Sequence, residues 1–212
     1  MKIILTRPQY EITTKYLSCW AGEILILAKK RNIEILDLAK NKAKKDALVG
    51  RIKKLQPDIV FLNGHGDDDC IAGHNDEILI KLGDNHKILS GITTYGLSCN
   101  AGKDLGPAVV KEPQTAFIGY IDKFIFVCDN DYITKPLQDP KAKPFMEASN
   151  QVMVSLIKGN SANEASLKSK DKFKENYLKF LSNQNDPDSL QVAQFLWWNM
   201  KHQVCLEYEN NL

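Results

Sequence analysis

The run Asp58-Ile59-Val60-Phe61-Leu62 restricts what this chain can fold into more than any other stretch. β-Branched and aromatic residues in such a run form a strand, and its unbroken apolarity means that both faces are covered. Strands of that kind lie inside parallel sheets with helices on either side. A second run, Ile92-Thr93-Thr94-Tyr95-Gly96-Leu97-Ser98, has the same character. The first run leads into Asn63-Gly64-His65-Gly66 and the second into Cys99-Asn100-Ala101-Gly102.

The segments before and between these runs alternate in period. Lys2 to Thr6 is a short apolar strand, and Tyr10 to Arg31 carries Ile12, Tyr16, Leu17, Trp20, Ile24, Leu27 and Ala28 at helical spacing. Ile33 to Leu38 reads as a second strand and Lys42 to Leu55 as a second amphipathic helix, closed by Pro57. A β-α-β-α-β order of this kind is the signature of a parallel sheet covered by helices. Glu77 to Leu82 reads as a short strand or side hairpin, His86 to Leu89 as one helical turn, Gly102 to Val110 as a helix and Thr115 to Tyr120 as a buried strand that Lys123 to Cys128 extends or accompanies.

Beyond Pro136 the pattern changes. Pro136, Pro140 and Pro144 mark an exposed loop, followed by a helix from Phe145 to Lys158 that Gly159-Asn160 stops. Ser161 and Glu164 are spaced as a capping box for the next helix, which runs through Leu167, Phe173, Tyr177 and Phe180. Asp186-Pro187-Asp188 opens a last helix, Ser189 to Tyr208, with Trp197 and Trp198 expected in the core. With 212 residues and no linker or repeat, the expectation is one domain, residues 1–212, with a C-terminal helical elaboration at about 145–208. Its fold class is a three-layer α/β/α arrangement around a mostly parallel sheet.

Charge excludes some partners. Lysine plus arginine number 28 against 26 acids, a net charge of +2, so neither nucleic acid nor an anionic membrane is expected. Met1 to Pro8 is too briefly apolar for a signal peptide, and no run approaches the ~18 residues of a membrane span. The five cysteines, Cys19, Cys70, Cys99, Cys128 and Cys205, are scattered without a CxxC pair and read as reduced thiols. These features point to a cytoplasmic protein.

If both runs are parallel strands of one sheet, His65 and Cys99 emerge together at its carboxyl edge, where open α/β sheets hold ligands. A thiol is nucleophilic as thiolate, and a neighbouring imidazole is the usual way to form it. Gly64 and Gly66 permit a sharp turn and a close approach to substrate, and the amides of Gly66 and Cys99 are candidate oxyanion donors. A helix beginning just after Cys99 would lower its pKa further.

The pattern of strand, His-Gly, second strand and small residue-Cys resembles the caspase-like cysteine peptidases: caspases, metacaspases, legumains, gingipains, separases and CHAT domains. Asn63-Gly64-His65-Gly66 and Leu97-Ser98-Cys99-Asn100-Ala101-Gly102 carry the resemblance, which is nearest to CHAT and gingipain-type members through Thr115 to Tyr120 and Phe145 to Ala165. It implies a six-stranded, mostly parallel sheet and a Cys/His dyad that cleaves a protein or peptide substrate through a thioester, without a cofactor. Cys99 would attack, and His65 would serve as base and then protonate the leaving amine. An activating partner protein is compatible with the resemblance.

Substrate contacts are expected from Asn63, Leu97, Asn100 and Asp122, with Asp129 as a second acid near the same strand. Leu97 stands where many members of the family carry an acid or amide that shapes the first side-chain pocket. Two metal readings are weaker: calcium at Asp67, Asp68, Asp69 and Asp76, whose spacing matches no EF-hand, and zinc at Cys70, His74 and His65, which lacks a fourth ligand. No metal is therefore expected. The alternative to an enzyme is a caspase-like or flavodoxin-like regulatory module whose Cys and His are vestigial; a phosphate loop is not a further option, because Arg7-Pro8-Gln9-Tyr10 is not glycine-rich.

Overall fold

The structure, a computed structural model, describes residues 1–183 and 187–209. Strand β1 (Lys2–Arg7) leads through helix α1 (Ile12–Lys30) to β2 (Glu34–Ala39), and α2 (Lys45–Leu55) then leads to β3 (Ile59–Asn63). A detour follows through β4 (Gly66–Asp67), β5 (Cys70–Ala72) and β6 (Ile78–Lys81), which form a small antiparallel sheet of their own. The main sheet resumes with β7 (Thr93–Leu97), the short helix α3 (Leu105–Val109) and β8 (Ala116–Tyr120). Helices α4 (Lys143–Ile157), α5 (Ala162–Leu181) and α6 (Ser189–His202) come next, and strand β9 (Gln203–Glu207) returns the chain to the sheet.

The order across the main sheet is β2-β1-β3-β7-β8-β9, parallel throughout except for β9. This is the expected three-layer α/β/α architecture, and period-2 alternation explains its two cores. Ile3, Leu5, Ile59, Phe61, Tyr95 and Leu97 face one side, against Tyr16, Leu17 and Trp20 of α1 and Met146, Val152 and Met153 of α4. Ile4, Val60 and Leu62 face the other, against Leu48 and Ile52 of α2, Ile71 and Ile80 of the side sheet and Leu105 of α3. Phe61 and Leu62 are both fully buried, each contributing about 1.5–3 kcal/mol of transfer free energy.

Most element boundaries agree with the sequence reading, including the Ser161–Glu164 capping box and the stop at Gly159, whose φ is +87°. Four differences have physical causes. The last helix ends at His202, and Gln203 to Glu207, expected to be helical, pairs with β8 instead. The free edge of β8 needs a hydrogen-bonding partner, and β9 packs Cys205 against one core and Leu206 against the other. Because β9 takes that edge, Lys123 to Cys128 forms no strand. Its backbone is held by α6: Ile125 N–H donates to Asn199 Oδ1 (3.0 Å), Asn199 Nδ2 donates to the Ile125 carbonyl (2.7 Å), and Trp198 Nε1 donates to the Lys123 carbonyl (3.0 Å).

Trp198 is thus half-buried over that segment, while Trp197 is 43% exposed and not part of the core. The proline segment, expected to be exposed, buries Pro136 and Pro144. Its anchor is Asp139, fully buried, whose carboxylate accepts from Tyr16 Oη (2.6 Å) and from the amides of Asp129 (2.8 Å), Lys141 (2.9 Å) and Ala142 (3.1 Å). Asp186, expected at the start of the last helix, lies outside the described residues.

A buried carboxylate with four donors leaves all four unpaired when it is removed. Asp139→Ala should lower the free energy of unfolding by about 3 kcal/mol, measured by urea denaturation, with an unchanged m-value.

Candidate active site

Strands β3 and β7 are neighbours, with Asn63 opposite Leu97 as their last paired residues. The Gly64 amide still reaches the Leu97 carbonyl at 3.4 Å, and from there the backbones leave the sheet together. His65 and Cys99 are therefore the second residues beyond the same rung of one parallel pair. At Gly64 the chain turns with φ at +148°, and a Cβ there would lie 2.1 Å from the Ala72 carbonyl oxygen, so only glycine fits. A Cβ on Gly66 would lie 2.6 Å from the Cys99 carbonyl oxygen and 2.8 Å from Ser98 Cβ. What these two glycines admit is thus the backbones of the side sheet and of the Ser98-Cys99 turn.

Each turn is held on its outer side as well. The Ala72 amide of β5 donates to the His65 carbonyl (2.9 Å). On the Cys99 side, Asn100 N–H donates to the Asp122 carbonyl (3.1 Å) and Gly102 N–H to the Tyr120 carbonyl (2.9 Å), which pins the turn to β8. Asn100 adopts φ of +60°, within a tight turn rather than at a helix start. Helix α3 begins only at Leu105, and the carbonyl of Asp68 accepts its first amides.

The expected dipole effect on Cys99 is consequently missing, since a five-residue helix six positions away has no field to lend. Burial pushes the Cys99 thiol up, opposed by the Phe124 amide and the Lys123 ammonium and reinforced by the Asp122 carboxylate. Among the described residues no hydrogen bond joins the Cys99 sulfur to the His65 ring. The imidazole instead faces Glu11, with Nε2 3.5 Å from Oε1. The Cys99 amide, expected as an oxyanion donor, has no backbone acceptor among the described residues.

Glu11 is the residue that the sequence reading missed. It is the N-cap of α1, where its carboxylate accepts from the amides of Thr13 (2.7 Å) and Thr14 (2.5 Å). Burial opposes the charge on Glu11, but these amides, the Thr14 hydroxyl and His65 together hold the carboxyl below its ordinary range. Asp, Asn, Ser and Thr are the preferred caps; the longer Glu reaches both its own helix and the imidazole. The Glu11–Thr14 spacing signals a cap, whereas its nearness to His65 is a tertiary contact that no local pattern encodes.

The other expected positions separate into two groups. Asn100 and Asp122 lie beside Cys99, both half-buried. Asn63 and Leu97 are buried inside the protein instead. Asn63 is fully buried and donates through Nδ2 to the Thr6 carbonyl (2.9 Å), tying β3 to β1, and Leu97 is in the core. Asp129 accepts from the Asp131 amide and pairs with Lys141 at 3.4 Å.

Among the described residues no three His, Cys, Asp or Glu side chains converge to hold a metal ion. Neither metal reading assembles, because its members have other partners. Asp68 pairs with Lys103, Asp69 with Lys81 and Asp76 with Tyr10, while His74 Nδ1 accepts the Gln9 amide. No helix among the described residues is long and apolar enough to cross a membrane. The sequence matches no model of a known protein family, and a search of curated proteins finds no matching relative.

With the thiol pushed up, Cys99 stays largely protonated at neutral pH, and its thiolate fraction grows about tenfold per pH unit below that pKa. Alkylation of Cys99 by iodoacetamide, followed by mass spectrometry, should rise in that proportion between pH 7 and 9. At fixed pH, Asp122→Asn should speed it and Lys123→Gln should slow it.

Proposed function

We propose that this protein is a cysteine endopeptidase of caspase-like type, in which Cys99 is the nucleophile and His65 the acid–base group. The single observation that carries the proposal is the β3–β7 pairing, which brings the Gly64-His65-Gly66 turn against the Ser98-Cys99 turn at the carboxyl edge of the sheet. Two chain segments distant in sequence meet there with a thiol, an imidazole and a free amide, the set that acyl transfer requires.

In this reading a polypeptide binds across the edge and His65 takes the Cys99 proton once substrate draws the two groups together, as dyads loose at rest often do. The thiolate adds to the scissile carbonyl. The Gly66 and Cys99 amides receive the developing oxyanion, an interaction whose loss typically costs about 3 kcal/mol. The His65 imidazolium then gives its proton to the departing amine, leaving a thioester that water hydrolyses with His65 as base. Glu11 faces the ring, with Oε1 3.5 Å from Nε2, and holds it in place. In this reading Asn100, next to Cys99 in the chain, and Asp122, whose carboxylate acts on the thiol, meet the residue before the scissile bond. Five unpaired cysteines suit a reducing compartment such as the cytoplasm, and a protein substrate, with or without an activating partner, is the implied ligand.

One observation favours a second reading, a regulatory module without catalysis: the thiol is pushed up by burial while the imidazole is engaged with Glu11. A panel of peptidyl-acyloxymethylketones varied at the first side chain separates the two. The peptidase reading expects covalent labelling that is lost in Cys99→Ala and falls by about 10²–10⁴ in His65→Ala. Glu11→Ser, which preserves an N-cap, should leave the melting temperature close to that of the original protein while slowing labelling about tenfold. Absence of labelling by every member of the panel would sink the peptidase reading.

A further inference from the structure

The tip of the side sheet contacts the segment before α1 whose Tyr10 and Glu11 stand against His65. Between β5 and β6 the chain passes through Gly73 to Glu77, and Asn75 and Asp76 both adopt left-handed backbone, with φ of +55° and +58°. Two consecutive non-glycine residues in that region are costly, and such strain persists only where the surroundings hold it. Here they do. The His74 amide donates to the Ala43 carbonyl (2.9 Å), the Gly73 amide donates to the Glu77 carbonyl (2.8 Å), and Glu77 Oε1 accepts the first amide of α2, from Lys45, at 2.9 Å.

The strained turn delivers Asp76 to the segment between β1 and α1. Tyr10 Oη donates to Asp76 Oδ1, and the preceding amide, Gln9 N–H, donates to His74 Nδ1 at 3.3 Å. The Tyr10 ring stands edge-on to two imidazoles, His74 at 5.4 Å between centroids and 83°, and His65 at 6.3 Å and 74°. Glu11, the next residue, faces His65 from the same segment. Imidazole and carboxylate are each more than a third exposed, so neither is held by packing alone.

We infer that Tyr10, anchored at its hydroxyl by Asp76, is a positioning residue that fixes the His65 imidazole and the adjoining Glu11 carboxylate at the carboxyl edge of the sheet. The inference deepens the peptidase proposal and rests on it for its consequence in catalysis. The strained turn supplies the anchor: Asp76 reaches Tyr10 because the left-handed backbone at Asn75 and Asp76 turns the tip of the side sheet toward β1. Misplacing a reacting group by about 1 Å costs up to about 100-fold in rate, so the effect is measurable although neither residue touches the reacting atoms.

Two readouts test it in the full-length chain. In Cys99→Ala protein carrying histidine labelled with ¹³C at Cε1, Tyr10→Phe and Asp76→Ala should each shift the His65 resonance and leave His86 and His202 in place. Asp76→Asn, whose amide oxygen still accepts the phenol proton, should restore the original His65 position. With Cys99 present, the same two variants should slow acyloxymethylketone labelling by roughly 10- to 100-fold, and Asp76→Asn should recover most of the rate. A His65 resonance unmoved by both variants, or moved equally by Asp76→Asn, overturns the inference. If the resonance responds as expected but Cys99 is never labelled, the peptidase proposal falls and the positioning role stands.

Discussion

The hydrogen-bonded pairing of β3 with β7 is the constraint on which the rest of the molecule depends. Its five rungs, from Ile59–Thr93 to Asn63–Leu97, set which residues leave the sheet together and which face each core. Side chains alternate with a period of two, so a slip of one residue would turn Phe61 and Tyr95 away from α1 and α4 and carry His65 out of step with Cys99. Phe61 and Tyr95 stack at 4.9 Å on one face of the pair. Burial of the apolar strands therefore enforces the register, and the register delivers the two turns to one place.

The far side of the sheet is held by a different device. Gln203, at the junction of α6 and β9, donates to Tyr120 Oη (3.2 Å) and Ser169 Oγ (2.9 Å) and accepts from Ser166 Oγ (3.2 Å). Tyr95 Oη meets Ser149 Oγ at 2.8 Å in the same buried layer. These bonds link β7, β8 and β9 to α4 and α5 through groups that cannot reach water, so each must be satisfied inside the protein. The consequence is a fixed β8, and β8 in turn holds the turn that carries Cys99 through the carbonyls of Tyr120 and Asp122.

Electrostatics at the carboxyl edge are divided between the two turns. On the His65 side the Glu11 carboxylate faces the ring, with its charge stabilised by amides of its own helix. On the Cys99 side, burial favours the protonated thiol, and the opposite charges of Lys123 and Asp122 act against each other. An imidazole next to a carboxylate thus stands on one turn, and a partly buried thiol whose charged form is disfavoured stands on the other.

Much of this was legible in the residues alone. Unbroken apolar runs specified buried parallel strands, helical spacing specified α1, α2, α4 and α5, and Ser161 with Glu164 specified a cap, because each signal depends on neighbours within a turn or a strand. His65 and Cys99 stood out for the same reason, at the ends of apolar runs beside glycine. Strand β9 was obscured because Gln203 to Glu207 continues a helical stretch without a breaker, and only the open edge of β8 makes it a strand. Asn63 and Leu97 look accessible next to the motifs, yet they end buried, because Asn63 is tied to Thr6 of β1 and Leu97 packs into the core shared with α1 and α4. Glu11, Tyr10 and Asp76 belong to the site through contacts across fifty or more positions, and such contacts exist only after loops close and strands pair. Sequence determined most of the secondary elements and marked out His65 and Cys99, since those follow from local sterics and the burial of apolar surface. Tertiary structure alone decided which groups surround the imidazole and the thiol, because that depends on how distant segments pack.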